Sequence, residues 1–274
     1  MHPDLKAVRR KHSHHDSRIK ISEAVEFGPE KICVIAGPCA IESHDQLLKI
    51  ARIIQTNGAC MLRAGAYKPR TSPYSFQGLG DKGLLILNEV RRKLNLAVVT
   101  EILDVRDLGK LLECSDMIQV GSRNMQNFSL LKELGKTRIP VLLKRGMMAT
   151  IYDFLLAAEY ILKEGNPNII LCERGIRTFE TYTRNTLDIS AIPIIKTLSH
   201  LPIIFDPSHS AGLRELVLPL SRAGLAAGAD GLIVETHDDP SHALCDGSQS
   251  LFLHDFSDFM DEVKKISLFL NKEF

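Results

Sequence analysis

Four residues far apart in the chain carry groups that bind metal ions. Cys39 in GPC, His209 in DPSH, Glu235 in VETH and Asp246 in CDGSQ offer a thiol, an imidazole and two carboxylates. Gathered at one point, this mixed soft and hard donor set would suit Mn, Fe, Co or Zn rather than Mg or Ca. Spacing alone does not establish such a site, because the residues are too distant in sequence. A second set is cationic: Arg63, Lys68, Arg70, Arg123, Lys144, Arg145, Arg174 and Arg177 each end or follow an apolar run. The chain holds 34 Lys and Arg against 33 Asp and Glu, a formal charge of +1. Cations clustered in a chain of almost no net charge imply a local field for a multiply anionic ligand, with phosphates and carboxylates as the candidates. Arg145 and Arg177 read as the most ordinary of the set, surface-loop cations. Glu101 and Asp206 place carboxylates among these cations. Either could orient a lysine, tune a metal ligand, act as acid or base, or form a plain structural ion pair.

The elements that must position these groups are legible from apolar runs. Eight β-rich runs follow residue 30: Lys31 to Pro38, Cys60 to Gly65, Ala97 to Ile102, Met117 to Ser122, Pro140 to Gly146, Asn168 to Gly175, Pro202 to His209 and Gly231 to His237. Longer stretches with helical punctuation lie between them, such as Ser43 before LLKIARIIQ, Asp104 before VRDLGKLL and Thr150 before IYDFLLAAEYILKE. The runs are continuously apolar rather than alternating, as expected of parallel strands buried on both faces. Eight βα units in about 240 residues predict an α/β fold, a TIM (β/α)8 barrel, whose chemistry sits at the C-terminal ends of the strands. Neither GxGxxG nor GxxxxGK[ST] occurs, so no nucleotide fingerprint competes with that reading.

Residues 1–30 read as a short N-terminal extension and 31–274 as the barrel, with no linker and no second domain. Residues 18 to 29 predict an extra strand or hairpin across the barrel bottom, and 255 to 272 a closing amphipathic helix. Its apolar face (Phe256, Phe259, Met260, Val263, Ile266, Phe269) could pack on its own barrel or on a neighbour. The Gly- and Pro-containing stretch 64 to 83 predicts a long loop after the second barrel strand, carrying Lys68, Arg70, Thr71 and Gln77. Loops this long in a compact domain are usually functional, and Pro69 and Pro73 stiffen this one.

Composition excludes several classes of function. A chain of 274 residues that is 45% hydrophobic can bury a full core, which rules out a mini-protein and a disordered chain. The near-zero charge offers no bulk field for nucleic acid or anionic membrane. The 6 cysteines are scattered through apolar runs, outside any disulfide or CxxC pattern, and read as reduced thiols. No apolar stretch approaches the ~18 residues of a membrane span, so a soluble cytoplasmic protein is expected. His12, His14 and His15 sit in a polar terminal segment without partner ligands and read as a frayed, solvated end.

In their order along the chain, GPCAIES, LRAGAYKPRTSPYSFQGLG, QVGSRN, LLKRG, CERG, DPSHSAG and VETH resemble the 3-deoxy-7-phosphoheptulonate (DAHP) synthases of the shorter, type I beta form. The resemblance runs from about Lys31 to Gln249, with a motif at nearly every strand end. It implies condensation of phosphoenolpyruvate with erythrose 4-phosphate and water, giving the heptulosonate 7-phosphate and inorganic phosphate, the first step of the shikimate pathway to aromatic amino acids. The related KDO-8-phosphate synthases, which use arabinose 5-phosphate, are the alternative. They share GPC and DPSH but carry a KANRSS-type segment where this chain has KPRTS, Lys68 to Ser72.

Carried over residue by residue, the resemblance implies that Cys39, His209, Glu235 and Asp246 bind a divalent metal. It places Arg63, Lys68, Arg123, Lys144 and Arg174 around phosphoenolpyruvate, with Arg123 and Arg174 on its phosphate, and Arg70 and Thr71 on erythrose 4-phosphate. Lys68, Glu101 and His209 are the candidates for acid or base. Relatives imply a homodimer or homotetramer. Some carry an added ferredoxin-like or chorismate-mutase domain for feedback inhibition, for which the roughly 30 residues before the first barrel strand are too few. Insensitivity to Phe, Tyr, Trp, chorismate and prephenate is expected on that ground.

Overall fold

The computed structural model describes residues 3–274. Among these residues eight parallel strands close into a barrel: β3 (Cys33–Gly37), β4 (Met61–Arg63), β5 (Ala97–Ile102), β6 (Met117–Val120), β7 (Val141–Lys144), β8 (Ile169–Glu173), β9 (Ile203–Phe205) and β10 (Gly231–His237). Each strand pairs with the next in sequence, and β10 closes the ring by pairing with both β3 and β9. All eight lie inside the runs picked out from the sequence. A short strand, β11 (Leu251–Phe252), adds alongside β10.

The intervening helices are α1 (His44–Thr56), α2 (Asp81–Leu94), α3 (Leu108–Cys114), α4 (Phe128–Gly135), α5 (Ile151–Lys163), α6 (Ala191–Leu198), α7 (Pro207–Ala211) and α8 (Val217–Ala226). Their starts follow local chemistry. The Ser43 hydroxyl accepts the Gln46 amide at 3.1 Å to begin α1, and Thr150 with Asp153 forms a reciprocal capping box at α5. The closing helix α9 (Phe256–Phe269) buries Phe256, Phe259, Met260 and Val263 against its own barrel, while Phe269 remains exposed.

Two apolar layers hold the barrel. Outward residues such as Val34, Leu62, Val98, Ile118, Leu143, Leu171, Phe205 and Val234 pack beneath the helices. Inward residues Cys33, Ile35, Met61, Val99, Met117, Leu142, Ile170, Cys172, Ile204 and Ile233 fill the interior. A hairpin of β1 (Ile19–Lys20) and β2 (Glu26–Phe27) closes the bottom, sending Ile19, Val25 and Phe27 into that inner layer.

Two expectations are corrected. The N-terminal segment is not a frayed end: Leu5 and Val8 are buried in the outer core, and the amides of Ala7 and Val8 donate to the Glu159 carboxylate at 3.1 and 2.9 Å. The apolar pair outweighs the polar surroundings. His15 stacks on His200 with ring centres 4.4 Å apart, leaving His12 and His14 exposed. The run Pro202 to His209 is strand only as far as Phe205. Asp206 then caps a short helix with Pro207 at its first position, so His209 stands on α7 and not on a strand end.

Candidate active site

The site is the continuation of the barrel's inward face. Side chains alternate across a strand, so the residue two beyond each inward apolar residue also points inward. From Met61 that step reaches Arg63, from Val99 Glu101, from Met117 Gln119, from Leu142 Lys144, from Cys172 Arg174, from Ile204 Asp206 and from Ile233 Glu235. A polar layer of three cations, three carboxylates and an amide therefore lies directly on the apolar filling, all of it buried. The step from Ile35 reaches Gly37, after which the chain turns and presents Cys39.

At one side of this layer the four proposed donors meet. Ligand atoms of Cys39, His209, Glu235 and Asp246 all lie within 4.8 Å of one another. The Cys39 Sγ is 3.2 Å from Asp246 Oδ2, and His209 Nε2 is 3.4 Å from Glu235 Oε1 and 3.7 Å from Asp246 Oδ2. This spacing suits ligands about 2.0–2.3 Å from a common centre. His209 is aimed from behind: its Nδ1 donates to Asp206 Oδ2 at 2.7 Å, which leaves Nε2 facing the carboxylates. Burial lowers the His209 pKa against the charges of Asp206 and Glu235.

Charge gathers here against the cost of desolvation. Burial raises the Glu235 and Asp246 pKa values, but His209 beside both, Arg63 beside Glu235 and Arg184 beside Asp246 bring them below the ordinary carboxylate range. A hydrogen bond to Cys245, whose Sγ is 3.3 Å away, and then burial push the Cys39 thiol well above its usual value. A divalent cation among these groups favours the thiolate instead. Asp246 holds left-handed backbone, φ +54°, a conformation short polar residues adopt more readily than most.

Above the donors opens a cavity of about 290 Å³. Lys68, Arg70, Thr71, Glu101, Arg123, Lys144, Arg174, His209 and Asp246 line it, and all were singled out from the sequence. Cys39, Glu235 and Arg63 lie beneath the wall, with the Arg63 guanidinium ion-paired to Glu235. Lys144 pairs with Asp206. Lys68 Nζ is 3.9 Å from Glu101 Oε2, and Gly121 makes room for that carboxylate, since a Cβ there would lie 1.9 Å from Glu101 Oε1. Among the described residues no carboxylate pairs with Arg174 or Arg123. Burial lowers the Arg174 pKa, and the charge of Asp206 nearby offsets that only in part.

Other positions fall elsewhere. Arg145 is one residue past inward-facing Lys144 and so points outward, where it is buried against Glu173 (2.8 Å) and Asp188 (2.9 Å). It is a structural ion pair and not the surface cation expected. Arg177 is exposed, and Gln77 turns back onto the Pro73 carbonyl. The sequence reading missed Gln119, Arg184 and Cys245, which also line the cavity. Gln119 shares the period-two position of Glu101 on the neighbouring strand, a signal hidden because outward positions are apolar too. Cys245 was visible as the neighbour of Asp246.

A closed (β/α)8 barrel with convergent cations and a Cys, His, Glu, Asp cluster at its mouth defines a barrel enzyme acting on anionic substrates. Comparison with known proteins narrows this. Residues 16–271 match the DAHP synthetase I family. The chain is 55% identical over 262 residues to the phospho-2-dehydro-3-deoxyheptonate aldolase of Thermotoga maritima, covering 96% of this chain and 77% of that protein. It is 35% identical over 257 residues to a 2-dehydro-3-deoxyphosphooctonate aldolase of Geobacter sulfurreducens, covering 87% of this chain and 93% of that one. The crystal structure of the Thermotoga DAHP synthase superposes with a TM-score of 0.94 at 53% identity, covering 98% of this chain and 78% of that chain. A truncated form of a Thermotoga maritima 3-deoxy-D-arabino-heptulosonate 7-phosphate synthase gives 0.90 at 50%, covering 97% of each. The chain belongs to the DAHP synthetase I family and is an enzyme of the DAHP synthase type. Among the described residues no helix is long and apolar enough to cross a membrane.

Proposed function

We propose that this enzyme condenses phosphoenolpyruvate with D-erythrose 4-phosphate and water to give 3-deoxy-D-arabino-heptulosonate 7-phosphate and inorganic phosphate. The observation that carries the reading is the unpaired, buried Arg174 facing a cavity at whose floor four metal-ligating side chains converge.

Cys39, His209, Glu235 and Asp246 would hold a divalent metal, and their thiol, imidazole and carboxylate donors fit Mn, Fe, Co or Zn. When bound, that ion supplies Lewis acidity to an aldehyde oxygen on which negative charge grows. The protein's own groups do the rest. Arg174 and Arg123 take the phosphate of phosphoenolpyruvate, with Lys68, Lys144 and the charge of Arg63 around its carboxylate end. Arg70 and Thr71, on the loop after β4, take the phosphate of erythrose 4-phosphate. Holding two phosphates and a carboxylate side by side overcomes their repulsion and sets the attack distance.

C3 of phosphoenolpyruvate bonds to the aldehyde carbon, water adds at C2, and the C2–O bond to phosphate breaks. Lys68 and Glu101, with Nζ 3.9 Å from Oε2 in the cavity lining, are two candidates to move protons, Lys68 to the new alkoxide and Glu101 from the water. His209, engaged by Asp206, is the third candidate.

The test is inorganic phosphate release from phosphoenolpyruvate with erythrose 4-phosphate or arabinose 5-phosphate, with and without chelator. Chelator-sensitive release with erythrose 4-phosphate alone is expected. The second reading, KDO-8-phosphate synthesis, draws on the octonate aldolase relatives, and release with arabinose 5-phosphate would establish it.

A further inference from the structure

The mechanism above makes no use of Arg184 and Gln249, yet both touch the donor cluster. Gln249 is buried, with its amide between two partners of fixed character. Arg184 Nη1 can only donate, so it takes Gln249 Oε1, at 2.8 Å. The amide nitrogen must then face the other way, and it donates to Glu235 Oε2 at 2.6 Å. The same Arg184 nitrogen lies 3.2 Å from Asp246 Oδ1. One guanidinium thus holds Asp246 directly and Glu235 through an amide, each by an oxygen other than the one facing His209.

Arg184 is itself fixed. It lies in the loop after β8, and its amide donates to the Ala211 carbonyl at 2.9 Å. Asn185 beside it donates to the Ser210 carbonyl through its amide and to the His209 carbonyl through its side chain. The arginine stem crosses Gly212, φ +71°, where a Cβ would lie 2.5 Å from Arg184 Cβ. The backbone that anchors Arg184 is therefore the helix that presents His209. From the opposite side, Arg214 holds the Gly247 and Ser250 carbonyls flanking Gln249.

We infer that Arg184 and Gln249 are positioning residues for the cation site, locking the carboxylates of Glu235 and Asp246 to the helix that carries His209. This rests on the metal reading of the Cys39, His209, Glu235 and Asp246 cluster. The anchored fork leaves those two carboxylates one orientation each, which lowers the cost of assembling the donors.

The test uses Mn(II) binding to the whole protein, followed by the electron paramagnetic resonance signal of the free ion. Gln249→Met removes the relay without changing charge and is expected to raise the Mn(II) Kd about 10- to 100-fold. Arg184→Met is the sharper variant. Loss of a positive charge beside a cation site would by Coulomb's law alone tighten Mn(II) binding, whereas loss of a positioning residue weakens it. Weaker binding in both variants, partly restored in Arg184→Lys, supports the inference. Binding within twofold of the unsubstituted protein in Gln249→Met, or tighter binding in Arg184→Met, overturns it. Should Arg184→Met fail to fold, Gln249→Met and Arg184→Lys decide alone. If the unsubstituted protein takes up no Mn(II), Co(II) or Zn(II), the metal reading fails and the inference falls with it. Tight uptake that is indifferent to these variants overturns the inference only.

Discussion

His209 Nδ1 donates to Asp206 Oδ2 at 2.7 Å, and the same carboxylate oxygen takes the ammonium of Lys144. One buried oxygen thus fixes the tautomer of a proposed metal ligand and the position of a proposed substrate cation. Asp206 remains ionised well below its ordinary range: burial opposes its charge, and His209 and Lys144 more than offset that. Asp206→Asn keeps the shape and the helix cap while removing the charge that both partners need. We expect it to weaken metal binding and lower kcat about 10- to 100-fold together, measured by Mn(II) titration and phosphate release. Metal binding unchanged beside a fallen kcat would assign Asp206 to Lys144 alone.

Cys39→Ala should abolish metal retention. The remaining imidazole and carboxylates would lack the soft donor, and Arg63 beside Glu235 would compete with any cation. Metal analysis after gel filtration checks this, with the melting temperature of the metal-free protein as a control for folding. Normal metal content in Cys39→Ala would refute the ligand assignment.

The fold was legible because the barrel strands lie in short apolar runs that close on or beside polar or Gly residues, and the (β/α)8 order then dictates where those ends meet. The alternation inside the strands was not legible. Outward Leu143 and Leu171 are as apolar as inward Leu142 and Ile170, so the sequence does not say which of Lys144 and Arg145 faces the cavity. It therefore hid Gln119 as well. Arg184 was missed for another reason: it follows no strand directly, and it reaches the cluster only because the loop after β8 folds back onto α7. The N-terminal segment misled because Leu5 and Val8 are few apolar residues among many polar ones, and their burial depends on Glu159 and Ser199, far away in sequence.

The two ends of the cavity should separate kinetically. Arg174 lies at the end of β8, whereas Arg70 stands on the loop after β4 with Nη1 2.6 Å from Cys245 Sγ. A hydrogen bond to a charged group is worth about 1.5–3 kcal/mol, or roughly 10- to 150-fold in affinity. Arg174→Met should raise KM for phosphoenolpyruvate by that factor with a smaller effect on erythrose 4-phosphate, and Arg70→Met should do the reverse. Initial rates with each substrate varied in turn decide it. Equal effects of both variants on both substrates would mean that the phosphate sites are not divided as proposed.

Arg145 gives a prediction about stability rather than activity. Glu173 is buried and its pKa is raised by desolvation, with Arg145 the chief opposing charge and the Gly175 amide the remaining donor. Arg145→Met leaves that carboxylate uncompensated, which costs about 3–5 kcal/mol when one partner of a buried pair is removed. A carboxyl whose folded pKa lies above its unfolded value binds more protons folded than unfolded. Its contribution is therefore most favourable below the unfolded pKa and is lost as pH rises through the folded one. Removing Arg145 moves the folded value further up, so the deficit of Arg145→Met should be largest near neutral pH and shrink as pH falls and Glu173 takes a proton. Denaturant unfolding of both proteins across this range measures it. Adding Glu173→Gln, which keeps a polar group for the Gly175 amide, should recover most of the loss at neutral pH and flatten the pH dependence. A deficit independent of pH would assign the cost instead to lost packing and to the Arg145 hydrogen bond to the Ala149 carbonyl.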